Sequence, residues 1–274
     1  MTTTLRPSGP LREGEDGARS RPYEVRVNSR RVGQLLIRAG TAFGPAVGEI
    51  GDLVIDPPDR RRGRATVAAL AAEEVLRGWG CRRVRVSVPA GSAGGLRLAE
   101  ALGYAEYSRH LGKELPVEPP ALPEGVTSRR MTENEYAAWA AEAPAGYAAE
   151  LAARGMPERD AYARAVTDHA ARFPDGRDTA GVTLAVLEAA GDTVGHLWLA
   201  AHGDGAYVFH VEVAEGHRGR GHGRALMLLA EREAAAAGHG TVALQVFTTN
   251  TPARRLYASL GYRPTNLNYA KDLL

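Results

Sequence analysis

The chain has 274 residues, a net charge of +2 and an apolar fraction of 44%. This length allows one large or two modest domains, and the small charge gives no global basic field that would suggest nucleic acid. Because Cys81 is the single cysteine, an intrachain disulfide and a four-cysteine zinc site are excluded. No apolar run has membrane-spanning length and the N-terminus has no signal-peptide core. We therefore expect a cytoplasmic protein without membrane or nucleic-acid partners and without a bound metal.

The first half of the chain predicts strands before helices. Residues 7–22 are rich in Pro, Gly and charge and have no period, which favours a loop or partly disordered arm. Hydrophobic periodicity then predicts regular elements up to Gly103. These are strands at Tyr23–Asn28, Arg31–Arg38, Glu49–Asp56 and Arg83–Val88, and helices at Gly63–Gly80 and Ser92–Leu102.

A proline-rich stretch, 116–124, separates the two halves and predicts a stiff extended connector. After it, Thr132 and Glu135 form a helix-capping box, and Ala190-Gly191-Asp192 is typical of a hairpin turn. The predicted strands are Gly125–Met131, Val182–Glu188, Thr193–Ala200, Ala206–Val213, 242–247 and a final strand, and the predicted helices are Thr132–Ala145, Gly146–Arg154, Pro157–Arg172, 224–238 and 250–260.

A glycine-rich loop lies between the strand ending at Val213 and the following helix. It contains glycines at 219, 221 and 223 and arginines at 218, 220 and 224. A strand that turns through glycines into a helix N-terminus presents unpaired backbone N–H groups and a positive dipole to an anion. The loop lacks the lysine of a Walker loop, and its glycine spacing does not match a dinucleotide fingerprint. A phosphate site and an ordinary surface turn both remain open at this point.

The two halves contain the same pattern, shifted by 158 residues, the difference between Arg218 and Arg60. The shift needs no gap between Arg60 and Tyr104, and Gly80, Gly103 and Tyr104 fall on identical residues. Shared glycines are informative because they mark turns at fixed places. Two copies of one fold are therefore predicted.

The loop and a downstream segment resemble a known family. The pattern Arg218-x-x-Gly221-x-Gly223 resembles the acyl-CoA pyrophosphate loop of the GNAT superfamily of N-acetyltransferases, and the segment from Asn250 to Tyr262 resembles that family's other recurrent motif. The resemblance implies an α/β (α+β) protein of two tandem GNAT-like domains, each a mixed, mostly antiparallel sheet flanked by helices. We predict a truncated first copy at 1–115, the linker at 116–124, and a complete, catalytic second copy at 125–274.

The resemblance implies acetyl-CoA as co-substrate, bound by the second copy. Backbone amides of the glycine loop would hold the pyrophosphate, the strand around Val211–Val213 would pair with the pantetheine arm and polarise the thioester carbonyl, and Asn250 would help to hold that arm. The residues predicted to bind it are Val211, Val213, Arg218, Gly219, Arg220, Gly221, His222, Gly223, Arg224, Asn250 and Ala253.

Three residues are predicted to carry the chemistry. By the resemblance, Tyr257 would protonate the departing sulfur. Glu212 and His210 alternate with Val211 and Val213, so both should face the acceptor groove, and either could deprotonate the amine. Glu212 is slightly favoured, and a water-relayed path remains open because Gln245, where some relatives have a glutamate, cannot act as a base. Structural alternatives also stand: Asn250 as a plain helix cap, Tyr257 as a core aromatic, and Glu212 and His210 as ordinary strand residues.

The first copy departs from the motif at its functional positions. Arg61, Ser92 and Ala99 stand where the second copy has Gly219, Asn250 and Tyr257. We therefore expect a structural first copy, while its ability to bind CoA stays open. Segment 133–178 should cover the acceptor groove, with Tyr136, Trp139, Tyr147 and Tyr162 either lining a pocket or in the core, and with Glu133, Glu135, Glu142 and Glu150 either attracting an amine or forming a solvated face.

Together these features predict an acetyl-CoA-dependent N-acetyltransferase that acts on a primary amine of a small molecule. Tandem members of the family include the enzyme of the final acetylation in mycothiol synthesis, which this arrangement resembles in outline. A non-catalytic CoA-binding or sensing protein and a protein N-terminal acetyltransferase are the alternatives. The expected assembly is a monomer with an internal pseudo-dimer, or a homodimer.

Overall fold

The computed structural model describes residues 2–14, 17–41, 43–119, 121–153 and 156–273. They form a mixed α/β fold, which confirms the predicted class. The first half contains β1 Thr3–Pro7, β2 Arg12–Glu13, β3 Arg19–Val27, β4 Arg30–Thr41, β5 Gly44–Ile55, α1 Arg64–Gly78, β6 Arg83–Pro89, α2 Ala93–Ala101 and β7 Ala105–Glu114. The second half contains β8 Val126–Arg130, α3 Glu133–Ala153, α4 Glu158–Arg172, β9 Val182–Ala189, β10 Asp192–His202, β11 Gly205–Val213, α5 His222–Ala236, β12 Thr241–Phe247, α6 Thr251–Ser259 and β13 Arg263–Asp272.

The sequence repeat is also a structural repeat. Shifting the bounds of α1, β6, α2 and β7 by 158, the difference between 222 and 64, gives the bounds of α5, β12, α6 and β13. The shared glycines explain this constancy. Gly80 and Gly238, with φ of 86° and 85°, each follow a helix in the left-handed conformation that side chains disfavour. The first copy is shorter because β2 lies between β1 and β3, where the second copy has α3 and α4 between β8 and β9.

The chain divides into two compact units that differ from the predicted boundaries. Unit 1 comprises Met1–Tyr107, Ala148–Tyr162 and Asn266–Leu274, and unit 2 comprises Ser108–Tyr147 and Ala163–Thr265. The strands that end the two copies are therefore exchanged. Residues 266–272 of β13 pair with β6 in unit 1, and residues 108–114 of β7 pair with β12 in unit 2.

Unit 1 contains a sheet of order β1-β3-β4-β5-β6-β13, in which only β5 and β6 are parallel among its described neighbours. Its core includes Leu35, Ile37 and Leu76. Lys271 of the exchanged strand donates to the buried carboxylate of Glu73 at 2.8 Å, and the Tyr104 hydroxyl donates to the same carboxylate at 2.9 Å. The exchanged strand is thus joined to α1 by a buried ion pair.

Unit 2 contains the matching sheet, of order β7-β12-β11-β10-β9-β8. Its core lies between this sheet and α5 and includes Leu197, Leu226 and Leu229. Lys113 of the exchanged strand donates at 2.7 Å to both oxygens of Glu231, which is 0% exposed. Lys113 and Lys271 are equivalent under the repeat and are the two lysines of the chain, so both serve the same buried contact.

The predicted arm at 7–22 is wrong. The described part of this segment contains β2 and the start of β3, and β1 pairs with β3 along its whole length, from Thr3 opposite Val27 to Pro7 opposite Tyr23. Arg21 also donates to the carbonyl of Gly9 at 3.1 Å. Composition alone could not reveal this because the stabilising partner lies elsewhere in the chain; residues 15 and 16 lie outside the described part.

The predicted break between helices at 145 and 146 is also wrong. Helix α3 runs without interruption and contains Pro144, although proline costs a helix one backbone hydrogen bond. Its start confirms the predicted capping box, because the Glu135 amide donates to Thr132 Oγ1 at 3.3 Å and the Thr132 amide donates to the Glu135 carboxylate at 2.7 Å.

Within the described residues, no helix is long and apolar enough to cross a membrane.

Candidate active site

Strands β11 and β12 of unit 2 diverge next to the glycine loop. Their parallel pairing joins Ala206–Val208 to 242–244, whereas β11 continues to Val213 and β12 continues to Phe247. A register shift against β10 leaves Phe209 as an extra residue in β11, and such a bulge bends the strand. Beyond Val208, the described part of the chain supplies no ladder partner for β11 on the β12 side. Val211 and Val213 therefore lie beside an open cleft.

The glycine loop shapes the start of α5. Gly219 and Gly221 have φ of 77° and 86°, in the left-handed region, and Gly221 is the N-cap of the helix. A Cβ on Gly223 would lie 3.3 Å from Leu256 Cδ2, so a glycine here lets α5 approach α6 closely. The first N–H groups of a helix have no acceptor within it. The loop therefore leaves an uncapped, electropositive helix start at the mouth of the cleft.

The loop arginines have different surroundings. All three are exposed, but Arg218 Nε donates to the carbonyl of Val213 at 3.2 Å and Arg224 donates to Ser259 Oγ at 2.7 Å. Arg60, the equivalent of Arg218, donates in the same way to the carbonyl of Ile55 at 2.7 Å. Arg218 and Arg60 thus hold their loops to the preceding strand. At the start of α5, the half-buried ring of His222 lies 6.1 Å from that of His217.

Helix α6 supplies the two polar residues of the downstream motif. Asn250 is its N-cap, and its side chain accepts from the Ala253 amide at 3.2 Å, which confirms the capping role. Ser92 caps α2 in the same way. Tyr257 is 7% exposed and belongs to the core of unit 2, and burial raises the pKa of its hydroxyl. Contact with a ligand stays a prediction for both Asn250 and Tyr257.

The predicted alternation along β11 is confirmed. His210 and Glu212 are exposed, whereas Val211 and Val213 pack against the core. His210 Nε2 lies 3.3 Å from Glu212 Oε2, so the two candidate bases form a hydrogen-bonded pair. The second carboxylate oxygen, Oε1, lies 3.8 Å from the guanidinium of Arg218.

His196 of β10 is a third member of this group and was missed by the sequence analysis. It stands opposite Glu212 in the β10–β11 register, its Nε2 lies 3.7 Å from Glu212 Oε2, and its ring stacks on His210 with centroids 5.0 Å apart. Burial, and then the nearby His210, lower the pKa of His196. Along β10, His196 and Trp198 flank the buried Leu197, so the sequence pattern indicates that both lie on the face opposite Leu197. Only the pairing register of β10 and β11 brings His196 next to Glu212.

The aromatic residues of 133–178 belong mainly to packing. Tyr136 and Trp139 contact the small core formed around Met131, Phe173 and Leu184. The Tyr147 hydroxyl donates to Asp168 at 3.4 Å, and the Tyr162 side chain is exposed. Half-buried Phe209 extends this aromatic surface towards His210 by stacking on Trp198, with centroids 4.7 Å apart.

The acidic residues of segment 133–178 that were predicted near the acceptor groove either form ion pairs or are exposed. Glu133 lies 2.9 Å from Arg177, and Glu135 lies 2.7 Å from Arg129. Glu142 is exposed, and the side chain of Glu150 lies outside the described part of the structure. The ion pairs of Glu133 and Glu135 favour the solvated-face interpretation for these two residues.

The side chain of Gln245 on β12 donates to Ser108 Oγ at 2.7 Å.

In the first copy, charged side chains lie in and next to the loop that is equivalent to the glycine loop. Asp59 is buried and accepts from Arg30 at 2.7 Å, and it also forms an ion pair with Arg64, the first residue of α1. The second copy has His217 and His222 at the positions of Asp59 and Arg64. Arg61, which replaces Gly219, adopts a positive φ of 59° that is unfavourable for a side chain. An internal carboxylate thus accompanies the helix start in the first copy.

Sequence comparison agrees with these geometries. The model of the acetyltransferase (GNAT) family matches residues 5–104 and 137–262. The chain belongs to the GNAT family. It is an N-acetyltransferase that transfers an acetyl group to an amine, and GNAT acetyltransferases use acetyl-CoA as co-substrate. Both copies fall within the match, so the tandem GNAT architecture is confirmed.

Curated relatives and solved structures extend this GNAT assignment. A mycothiol acetyltransferase of Streptomyces scabiei is 31% identical over 241 residues, covering 84% of this chain and 72% of that protein. A mycothiol acetyltransferase of Thermomonospora curvata is 32% identical, covering 83% and 73%. Among solved structures, a tandem GNAT protein from the clavulanic acid biosynthesis pathway has a TM-score of 0.54 at 19% identity and covers 95% of this chain and 85% of that one. That last likeness supports the fold alone.

Proposed function

We propose that this protein acetylates a primary amine of a small molecule, and that the reaction takes place in the second copy. The observation that carries the proposal is the cleft between β11 and β12, which opens beside the uncapped start of α5. A diphosphate fits the helix start, and an extended arm fits the free edge of β11. Both features lie within unit 2, together with His210, Glu212 and Tyr257.

In the proposed complex, the backbone N–H groups of Gly219 to Gly223 bind the pyrophosphate of acetyl-CoA, with Arg220 adding positive charge; the Arg224 amide donates to the Gly221 carbonyl at 3.0 Å. The pantetheine arm lies along Val211–Val213, where a backbone N–H polarises the thioester carbonyl. Asn250 contacts the arm while it caps α6. The exposed position of Arg220 and the absence of a side-chain cap on α5 support this placement.

The reaction then needs two proton transfers. The lone pair of the neutral amine attacks the carbonyl carbon to form the C–N bond, and the pair formed by Glu212 and His210 takes a proton from the nitrogen of the tetrahedral intermediate. When the tetrahedral intermediate collapses, the C–S bond breaks and the sulfur takes a proton from the hydroxyl of Tyr257. Burial raises the pKa of the Tyr257 hydroxyl, which is therefore protonated at neutral pH and has a proton to give. Glu212 remains the favoured base, since its Oε2 faces both neighbouring imidazoles.

The proposed acceptor is a small molecule. The relatives called mycothiol acetyltransferase support this choice, since they match 83–84% of the chain. The exposed group of His210 and Glu212 beside the half-buried Phe209 offers polar and apolar contacts for such an acceptor. We further propose a structural role for the first copy, because Asp59 brings a carboxylate to the equivalent helix start.

The test combines binding and turnover. Isothermal titration with acetyl-CoA should give one binding event per chain, and a thiol-release assay over a panel of small amines and peptides should identify turnover with a small amine. Absence of binding at millimolar acetyl-CoA would contradict the whole proposal. Binding without turnover would favour a CoA sensor, and turnover restricted to peptide N-termini would favour a protein acetyltransferase.

A further inference from the structure

Three metal-binding side chains converge on the exposed face of β10 and β11. Each of His196, His210 and Glu212 offers one ligand atom, and these atoms lie within 4.8 Å of one another. Glu212 Oε2 is at the centre, 3.3 Å from His210 Nε2 and 3.7 Å from His196 Nε2. Two residues come from one strand and one from its neighbour, so the β-sheet register fixes their spacing.

The spacing suits a transition-metal ion. Ligands about 2.0–2.1 Å from a tetrahedral zinc ion lie roughly 3.4 Å apart, close to both separations involving Glu212. Two imidazoles and one carboxylate are ligands that zinc and its neighbours in the first transition row accept. The two imidazole rings are stacked at 16°, so their lone pairs must turn to converge. His210 has a side chain that is 44% exposed, which leaves room for this rotation.

The surroundings of the three residues also favour a cation. Arg218 lies next to Oε1 of Glu212, so Oε2 stays available to the two imidazoles. In metal sites, a residue that does not itself bind the ion often orients a ligating carboxylate in this way. His196 Nε2 is buried and, among the residues that the structure describes, has no hydrogen-bond partner. A bound ion would satisfy this nitrogen.

We propose that His196, His210 and Glu212 bind a divalent cation of the zinc type, and that the bound ion inhibits acetyl transfer. The inhibitory part rests on the proposed function, because the ion would occupy both residues proposed to take the proton from the amine. The binding part does not depend on that function. The metal is an inhibitor here and not a cofactor, so the expected metal-free reaction is unchanged.

The binding test uses the untagged full-length chain after treatment with a chelator. Titration with Zn²⁺ by calorimetry, and with Co²⁺ by visible absorption, should reveal one site. His196→Asn should weaken binding by at least about tenfold, since it removes one of three ligands. His202→Asn is the matched control, because His202 lies on the same strand and face and outside the group, and it should bind as the unchanged chain does.

Each outcome bears on a separate part of the inference. No Zn²⁺ binding at millimolar concentration, or equal effects of His196→Asn and His202→Asn, would overturn the site. With an active preparation, Zn²⁺ should inhibit turnover and a chelator should restore it. Measured against its own metal-free turnover, His196→Asn should need at least about tenfold more Zn²⁺ for half-inhibition. Binding without inhibition would overturn the inhibitory part. Binding by a chain that releases no thiol with any amine would refute the proposed function and leave the metal site intact.

Discussion

The two copies share a fold and differ at the start of one helix. Helices α1 and α5 have equivalent bounds, and each follows a left-handed glycine, Gly63 or Gly221. Before α1, the buried Asp59 pairs with Arg30 and Arg64, whereas α5 follows an open glycine loop. A few side chains therefore separate an open helix start without a side-chain cap from one that has an internal carboxylate beside it. The bounds of the repeated elements are preserved, and the two sites differ in local charge, in glycine content and in the residues equivalent to Asn250 and Tyr257.

The exchanged strands test whether the copies are equal in stability. Lys113→Met and Lys271→Met each leave a buried glutamate without its ammonium partner and should each lower the free energy of unfolding by about 3 kcal/mol. Urea denaturation provides the measurement. Arg77→Met, which removes a contact with the exposed Glu74, should change it by less than about 0.5 kcal/mol. Unequal losses for the two lysine variants would show that the copies differ in their cores as well.

Tyr257 tests whether chemistry is confined to the second copy, since Ala99 is its equivalent. Tyr257→Phe should lower kcat by about 100-fold, because the departing sulfur loses its proton donor, with little change in acetyl-CoA binding. Steady-state thiol release and calorimetry measure the two effects. Tyr162→Phe, at an exposed position, should behave as the unchanged chain does. Full turnover by Tyr257→Phe would refute its role as the acid.

The two loops can be compared by reversing one equivalent charge in each. Arg220→Glu places a carboxylate beside the proposed pyrophosphate site and should raise the Kd for acetyl-CoA by roughly tenfold, or about 1.4 kcal/mol. Arg62→Glu makes the same change in the first copy, where the equivalent arginine is also exposed, and should leave Kd within about twofold. Equal weakening by both variants would mean that the first copy binds acetyl-CoA too.

The smallest expected effect comes from a substitution that tests whether Asn250 only caps α6 or also contacts acetyl-CoA. Asn250→Ser introduces the residue that caps α2, so the free energy of unfolding should stay within about 0.5 kcal/mol. Loss of one contact with the pantetheine arm should raise the KM for acetyl-CoA by about fivefold. The reverse change, Ser92→Asn, should alter neither quantity. An unchanged KM for Asn250→Ser would leave Asn250 as a helix cap alone.

Local sequence signals predicted much of the fold. Periodicity and turn glycines located α1, β6 and α2 and their equivalents α5, β12 and α6 within a few residues, because these elements depend on neighbours along the chain. The same reasoning failed where distant contacts decide. Composition concealed β2 and the start of β3, which are stabilised by pairing, and the predicted break between 145 and 146 is absent from α3.

The features of the candidate site also divide into those that depend on local sequence and those that depend on distant contacts. Local spacing was enough to predict the glycine loop, the cap at Asn250 and the shared face of His210 and Glu212. Only the tertiary structure placed His196 beside Glu212, ended the pairing of β11 with β12 after Val208, and exchanged β7 and β13. These three features depend on which strands meet and in what register, and strand pairing is a non-local choice that no single segment encodes.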